Sequence, residues 1–259
     1  LASIGQKIIA FAYFLFLARI MMPELTGQYF LAVSITTIYS VIADFGITPV
    51  VIREIAKDTS MAKSLISHAL GLKIPLITLA TIGAMLTGVF LGYSPEIQYL
   101  IVLASIVLLL DSIHLLFYGV LRGFQSLKFE SLGVFLGQLT TATFGGLVLI
   151  LNPTLPLLVL ALMTGSLVNV GVSSYKIIRM LGASALKPTW SKEERNWILK
   201  TAFPFALAAI FVKVYSYIDT IFISKFLDDT AIGIYAIAYK FTYAFQFLPL
   251  AFTAALYPG

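Results

Sequence analysis

Two apolar runs late in the chain, Thr201–Phe226 and Ala231–Tyr257, each exceed the ~20 residues that cross the hydrocarbon core of a bilayer, and only Leu227-Asp228-Asp229-Thr230 separates them. A run of this length has few ways to be stable in lipid. Its backbone N–H and C=O groups find no water there and must bond within the segment, so each run reads as a transmembrane α-helix. Similar runs recur along the chain: about Ile4–Ile20, Gly27–Thr48, Ile74–Leu91, Glu96–Val120, Leu132–Leu151 and Leu157–Ile178. The turns between them are marked by Pro23, by Gly92-Tyr93-Ser94-Pro95 and by Asn152-Pro153-Thr154-Leu155-Pro156. The expected fold class is therefore all-α, a polytopic membrane helix bundle with about eight transmembrane helices.

Composition agrees and narrows the function. Charged residues make up 11% of the chain and hydrophobic ones 59%, against the ~25% charged content of soluble domains. Cysteine is absent, which excludes disulfides, thiolate metal sites and a Cys nucleophile. Two histidines, His68 and His114, do not make a His-rich metal site. The net charge of +5 does not point to nucleic acid, because the basic residues fall between the apolar runs. One side collects Arg53, Lys57, Lys63, Arg122, Lys128 and the basic residues from Lys176 to Lys200, whereas the other has only Arg19 and Lys225. The positive-inside rule puts the crowded side in the cytoplasm of a cell-membrane protein. Thr59–Lys73 reads as an amphipathic, interfacial stretch ahead of the third span. Arg179–Lys200 reads as a linker ending in a surface helix with Trp190 and Trp197 at the interface. The chain starts inside an apolar run without an initiator Met and stops just after one, as a fragment of a longer protein would.

The late runs also echo the beginning. Moved back by about 206 residues, Lys213 falls on Lys7, Phe222 on Phe16, Lys225 on Arg19, Gly233 on Gly27, Tyr235 on Tyr29 and Ala238 on Ala32. Repeats of this kind build many transporters, and an even number of intervening spans makes this one parallel. The domain expectation is a first six-helix lobe over residues 1–179, a cytoplasmic amphipathic linker over 180–200, and the first two helices of a second lobe over 201–259.

Charges within spans are the candidates for function, since each costs about 2.5–3.5 kcal/mol at bilayer depth and is kept where it meets a cavity or a partner. Lys213 and Lys7 suit an anionic substrate such as a phosphate or pyrophosphate, because an ammonium is a compact point charge. For Lys7, snorkelling to the cytoplasmic surface is an equal alternative. Tyr217 follows Lys213, and Lys240 stands with Tyr239, Tyr243 and Gln246 on an otherwise apolar run. Phenols there can meet a sugar or simply pack. Asp219 can carry a coupling proton, pair a lysine or bond a neighbouring helix. Asp111 and His114 share a helix face at i, i+3, which fits a proton relay as well as a packed pair. Asp44 precedes Phe45-Gly46 at a helix end, and Arg53-Glu54 fits a local ion pair at the cytoplasmic mouth. P-loop, dinucleotide-binding, triad and HExxH patterns are absent. The reading is a transporter that needs no cofactor, not an enzyme.

Three stretches resemble the polysaccharide-biosynthesis (Wzx-type) flippases of the multidrug/oligosaccharidyl-lipid/polysaccharide exporter superfamily. They are GQYFLAVSI (27–35) leading to ADFGITPVVIREIA (43–56); LRGFQ (121–125); and WILKTAFPFAL (197–207) followed by YSYIDTIFIS (215–224), AIGIYAIAYKF (231–241) and ALYP (255–258). The resemblance implies a two-lobed bundle of twelve to fourteen helices around a basic central cavity. Its cargo would be a polyprenyl-phosphate- or pyrophosphate-linked oligosaccharide of the O-antigen kind, moved between leaflets by alternating access with pivots near Pro204 or Pro249. It makes Lys7, Arg19, Arg53 and Lys213 the candidate phosphate contacts, with Tyr217, Lys240 and Tyr243 beside the sugar. Asp44, Asp111, His114 and Asp219 become the candidates for coupling to H+ or Na+. Membrane lipids and glycan-assembly proteins are the implied partners, and nucleic acid is not. A drug/cation antiporter of the same superfamily is the nearest rival, and a membrane enzyme of glycan assembly is the rival from another class.

Overall fold

The structure is a computed structural model; it describes the backbone of residues 2–244 and the side chains of residues 5–242. Among the described residues the chain forms nine helices and no strand: α1 (Ala2–Ile20), α2 (Pro23–Asp44), α3 (Ile47–Lys57), α4 (Ala62–Phe90), α5 (Pro95–Gly123), α6 (Leu127–Leu151), α7 (Leu155–Leu181), α8 (Lys192–Phe226) and α9 (Asp229–Ala244). Among the described residues six stretches are long and apolar enough to cross a membrane: α2, α4 with the turn before it, α5, α6, α7 and α8. The chain is a multi-pass membrane helix bundle. Of the eight expected spans, α1, at 19 residues, and α9, described over 16 residues, fall outside that set.

Helix starts follow local chemistry. Pro23 and Pro95 open α2 and α5, where a missing N–H costs nothing. Ser94 and Ser191 cap α5 and α8 with side-chain oxygens that accept the N–H groups of Ile97 and Glu194.

Two expectations about surface segments change. Thr59–Lys73 is not an interfacial strip: Thr59–Met61 is a single 3₁₀ turn, and the rest belongs to α4, which runs unbroken through Pro75. The segment Arg179–Lys200 does not end in a separate surface helix either. Lys192–Lys200 are the first turns of α8, whose 35 residues give a length of ~52 Å, well beyond the ~30 Å apolar core. The short connector before it docks on α4. Ser67 Oγ donates to the Ala185 carbonyl (3.0 Å), and the Thr189 N–H donates to the Ser67 carbonyl (3.1 Å). Ser67 thus meets this connector, while Lys63 and Ser64 of the same stretch stay exposed.

Two large apolar clusters, with a smaller one of Ala43, Ile77, Ala80 and Leu108, hold the described bundle. One gathers the α1–α2 turn end, the early part of α5 and the start of α7 around Leu17, Leu31, Leu100 and Leu158. The other joins α3, the start of α4 and the end of α5 around Ile55, Ile66, Leu116 and Ile198. Between them lies a layer richer in polar side chains. Helix α2 packs on α4, α5, α8 and α9, while α8 and α9 touch each other much less.

The α2–α9 contact is reciprocal. A Cβ on Gly27 would overlap the Asp229 carbonyl, and one on Gly233 would overlap the Pro23 carbonyl. Both pairs, 23 with 229 and 27 with 233, are related by the offset seen in the sequence. A contact in which residue i meets j and j meets i is the mark of a two-fold relation. It is consistent with a repeat independently of residue identities. Around it, Gln28 donates to Asp229 (2.9 Å), Tyr93 OH and Ser224 Oγ share a hydrogen bond (2.6 Å), and Lys225 donates to the Leu91 carbonyl. These contacts tie α8 and α9 to the α4–α5 turn and α2 at the end carrying few basic residues.

Gly27→Leu and Gly233→Leu are each expected to lower unfolding stability in detergent by ~2 kcal/mol through overpacking. Gly146→Leu, where added atoms meet open space, should leave the thermal midpoint unchanged. Ser67→Ala removes a hydrogen bond worth ~1 kcal/mol and should speed limited proteolysis between residues 182 and 191.

Candidate functional site

A cavity of about 590 Å³ opens in the polar layer between α1, α2, α5, α6, α7 and α8. Its charged lining residues are Asp44, Asp111 and Lys213. Threonine, serine and amide side chains from α2, α6 and α7, among them Thr37, Thr141 and Asn169, fill the spaces between them.

Asp44 sits where α2 ends. Phe45 (φ 44°) and Gly46 (φ 71°) take left-handed backbone, turning the chain into α3. Gly46 is needed twice: its φ is one that side-chain-bearing residues avoid, and a Cβ there would lie 2.5 Å from the Ala202 carbonyl of α8. The Asp44 carboxylate accepts the Thr48 hydroxyl and, at 3.4 Å, the Thr48 N–H. It also accepts the Lys73 ammonium at 2.8 Å. Lys73 is 1% exposed, donates to Ser112 Oγ (2.9 Å) and reaches the Ala43 carbonyl (3.5 Å). It thus satisfies both the carboxylate and a carbonyl left open at the end of α2. Sequence reasoning placed Lys73 at the end of an interfacial stretch and assigned it no role. The signal was its position on the buried stripe of α4, with Ile66 and Ala69 before it and Ile77 and Ala80 after it.

The structure brings Asp111 and His114 together. Asp111 Oδ1 accepts His114 Nε2–H (3.0 Å) and the Ser166 hydroxyl (2.5 Å). The Asp111 side chain is 44% exposed and that of His114 only 11%, so the carboxylate faces the cavity with the imidazole behind it. His114 Nδ1 is buried with no hydrogen-bond partner among the described residues. Its ring lies edge-on to Tyr118, whose hydroxyl donates to Asn169 Oδ1 (2.9 Å). Among the described residues the hydrogen-bonded chain from this carboxylate ends at His114.

Lys213 projects from α8 into the same cavity, 5.6 Å over the Tyr217 ring. No carboxylate lies within ion-pair distance of it among the described residues. Tyr217 belongs to a second, smaller cavity of about 270 Å³, which shares the lining residues Val33 and Thr37 with the first. Asp219 and Lys240 line it too, so Asp219 and Lys213 occupy neighbouring chambers rather than one. Asp219 accepts the Thr220 N–H (2.7 Å) and the Tyr235 hydroxyl. Lys240 stands 5.5 Å from the Phe30 ring and 5.9 Å from that of Phe14. Tyr235 and Tyr239 stack beside it, centroids 6.0 Å apart.

The remaining candidates lie elsewhere. Lys7 is exposed on α1 and lines neither cavity, although its neighbour Gln6 does. Arg19 is exposed at the end of α1. Arg53 is exposed, donates to Glu54 (2.6 Å) and faces the Phe205 ring of α8 at 5.8 Å. Partial burial pushes the Glu54 carboxyl up, but hydrogen bonds from Lys57 and Arg53 outweigh it and hold the group below its ordinary range. Pro204 lies inside α8. The Tyr243 side chain, Gln246 and Pro249 fall outside the described residues. Among the described residues no group of three or more His, Cys, Asp or Glu could hold a metal ion.

The fold is similar to that of a solved structure described as the inward-facing conformation of a multidrug resistance MATE family transporter of the MOP superfamily. The two share 16% identity with a TM-score of 0.64, covering 92% of this chain and 58% of that one. The chain therefore spans less than two thirds of that transporter's length. No curated protein matches the chain. The model of one protein family, described as polysaccharide biosynthesis protein, matches residues 1–259, and the chain belongs to that family.

Proposed function

We propose that the chain is part of a transporter that carries a polyprenyl-phosphate- or pyrophosphate-linked oligosaccharide across the cell membrane by alternating access. The observation that carries this reading is Lys213, an ammonium with no carboxylate partner among the described residues, in a mostly apolar cavity where Asp44 and Asp111 already accept hydrogen bonds. An unpaired cation at membrane depth calls for an anion, and a phosphoryl group supplies one while its lipid tail stays in the bilayer. The sugar next to that phosphate would enter the second chamber. There hydroxyls from α2 and α8 and the stacked pair Tyr235 and Tyr239 replace its hydration. Lys7, Arg19 and Arg53 lie outside both chambers and would act, if at all, along the path of entry.

Coupling to H+ or Na+ falls in this reading to Asp111 with His114, the carboxylate most open to the cavity. All three carboxylates are hydrogen-bonded, but Asp44 is less exposed and paired with Lys73, and Asp219 lines the other chamber. The same exposed carboxylate favours the second reading, a drug/cation antiporter, which would use Asp111 to bind a cationic substrate. A glycan-assembly enzyme fits less well, because the connections at the sparsely charged end are only a few residues long and offer little scaffold for catalysis. Glycan-assembly proteins remain the expected neighbours at the cell membrane.

Complementation by the full-length parent protein in a flippase-deficient host tests the main reading. Lys213→Ala should reduce surface polysaccharide about ten-fold or more, the effect of losing a charged hydrogen bond worth ~1.5–3 kcal/mol. Lys192→Ala, at the surface, should export normally at equal membrane levels. Normal export by both variants would remove Lys213 from the mechanism, and drug efflux without complementation would favour the antiporter. In vesicles, Asp111→Asn should abolish the response of transport to an imposed pH gradient while leaving substrate exchange intact.

A further inference from the structure

Lys73 never reaches the cavity, yet it decides the cavity's charge. The lining carries two carboxylates, Asp44 and Asp111, and one ammonium, Lys213. Taken alone, that set is net negative and would repel a phosphoryl group. Directly behind Asp44, Lys73 supplies the compensating charge at 2.8 Å. Its remaining bonds go to Ser112 and the Ala43 carbonyl, so it is not available to the substrate itself. A buried ion pair usually stabilises a fold less than apolar side chains of similar volume would. Its presence between α2, α4 and α5 therefore calls for a role beyond packing.

We infer that Lys73 is a specificity-determining residue, which neutralises Asp44 from behind so that Lys213 confronts an anionic substrate in a cavity without excess negative charge. The inference rests on the anionic-substrate reading above and adds what sets the sign of the accepted charge. Removal of Lys73 leaves Asp44 uncompensated and turns the chamber into one that prefers cations. The groups that face Asp44 are Lys73, the Thr48 hydroxyl and, across the cavity, Lys213 and Asp111. Only Lys73 is both charged and in contact with it.

Equilibrium binding to the purified protein in phosphatidylcholine nanodiscs tests this with two probes, farnesyl phosphate and tetraphenylphosphonium. At cavity distances and an effective dielectric of about 20, one unit charge changes affinity about ten-fold. Lys73→Gln should weaken farnesyl phosphate about ten-fold and tighten tetraphenylphosphonium by a similar factor. Lys73→Arg and the double variant Lys73→Gln/Asp44→Asn should return towards the wild-type ratio. Asp44→Asn alone keeps Lys73 and should shift the ratio further towards the anion, which gives a reading even where Lys73→Gln fails to fold. Parallel loss of both probes in Lys73→Gln, or an unchanged ratio in Lys73→Gln and Asp44→Asn, reduces Lys73 to a structural residue and overturns the inference alone. A wild-type protein that prefers the cation overturns the anionic reading of the cavity as well.

Discussion

The ion pair between Lys73 and Asp44 is the contact on which the inner part of the bundle turns. Helix α2 stops at Asp44, two left-handed residues redirect the chain, and α3 begins beneath α8. A helix end within a membrane protein leaves carbonyls open, and hydrocarbon offers them no water. Lys73 and Ser112 answer the Ala43 carbonyl, while the Asp44 carboxylate holds Thr48 in the first turn of α3. Three helices are thus registered by one buried ammonium. The same carboxylate forms part of the cavity wall, so the device that allows the chain to bend also sets the polarity of the chamber.

At the other end the bundle is held by close backbone approach. Helices α2 and α9 meet at Gly27 and Gly233, where the lack of side chains brings carbonyls within van der Waals range, as small residues do between membrane helices. Apart from weaker contacts with α3, α4 and each other, α8 and α9 have α2 as their main support. One helix therefore carries both the contact that joins the repeats and much of the cavity wall. A molecule entering between α2 and α8 would bear directly on that joint.

Much of this was legible in the residues. The bundle followed from run length, because a bilayer admits few structures for twenty apolar residues. Asp111 with His114 followed from helical spacing, and the structure joins them as expected. Lys213 stood out as a charge deep in an apolar run, and it lines the larger cavity. Other features misled. The stretch 59–73 resembles a surface helix because the start of a bundle helix, with one face packed and the other exposed, shows the same amphipathic pattern. For Asp219 the residues left a lysine pairing open, but its place on α8 turns it towards a different chamber from Lys213. Lys73 was visible as a charge yet not as a partner, since its carboxylate lies on another helix.

The sequence by itself determined the all-helical membrane class, the position of most apolar helices and the asymmetry of positive charge, and it suggested a repeat that links α1–α2 with α8–α9. These follow from local terms: hydrophobic length, loop charge and residue identity at a constant offset. Only the tertiary structure decided which charges compensate each other. Coulomb attraction and desolvation depend on distance and burial between groups far apart in the chain, and no spacing within one helix encodes them. Lys73 was assigned to Asp44, Lys213 was left without a carboxylate, and the polar layer was divided into two chambers by packing alone.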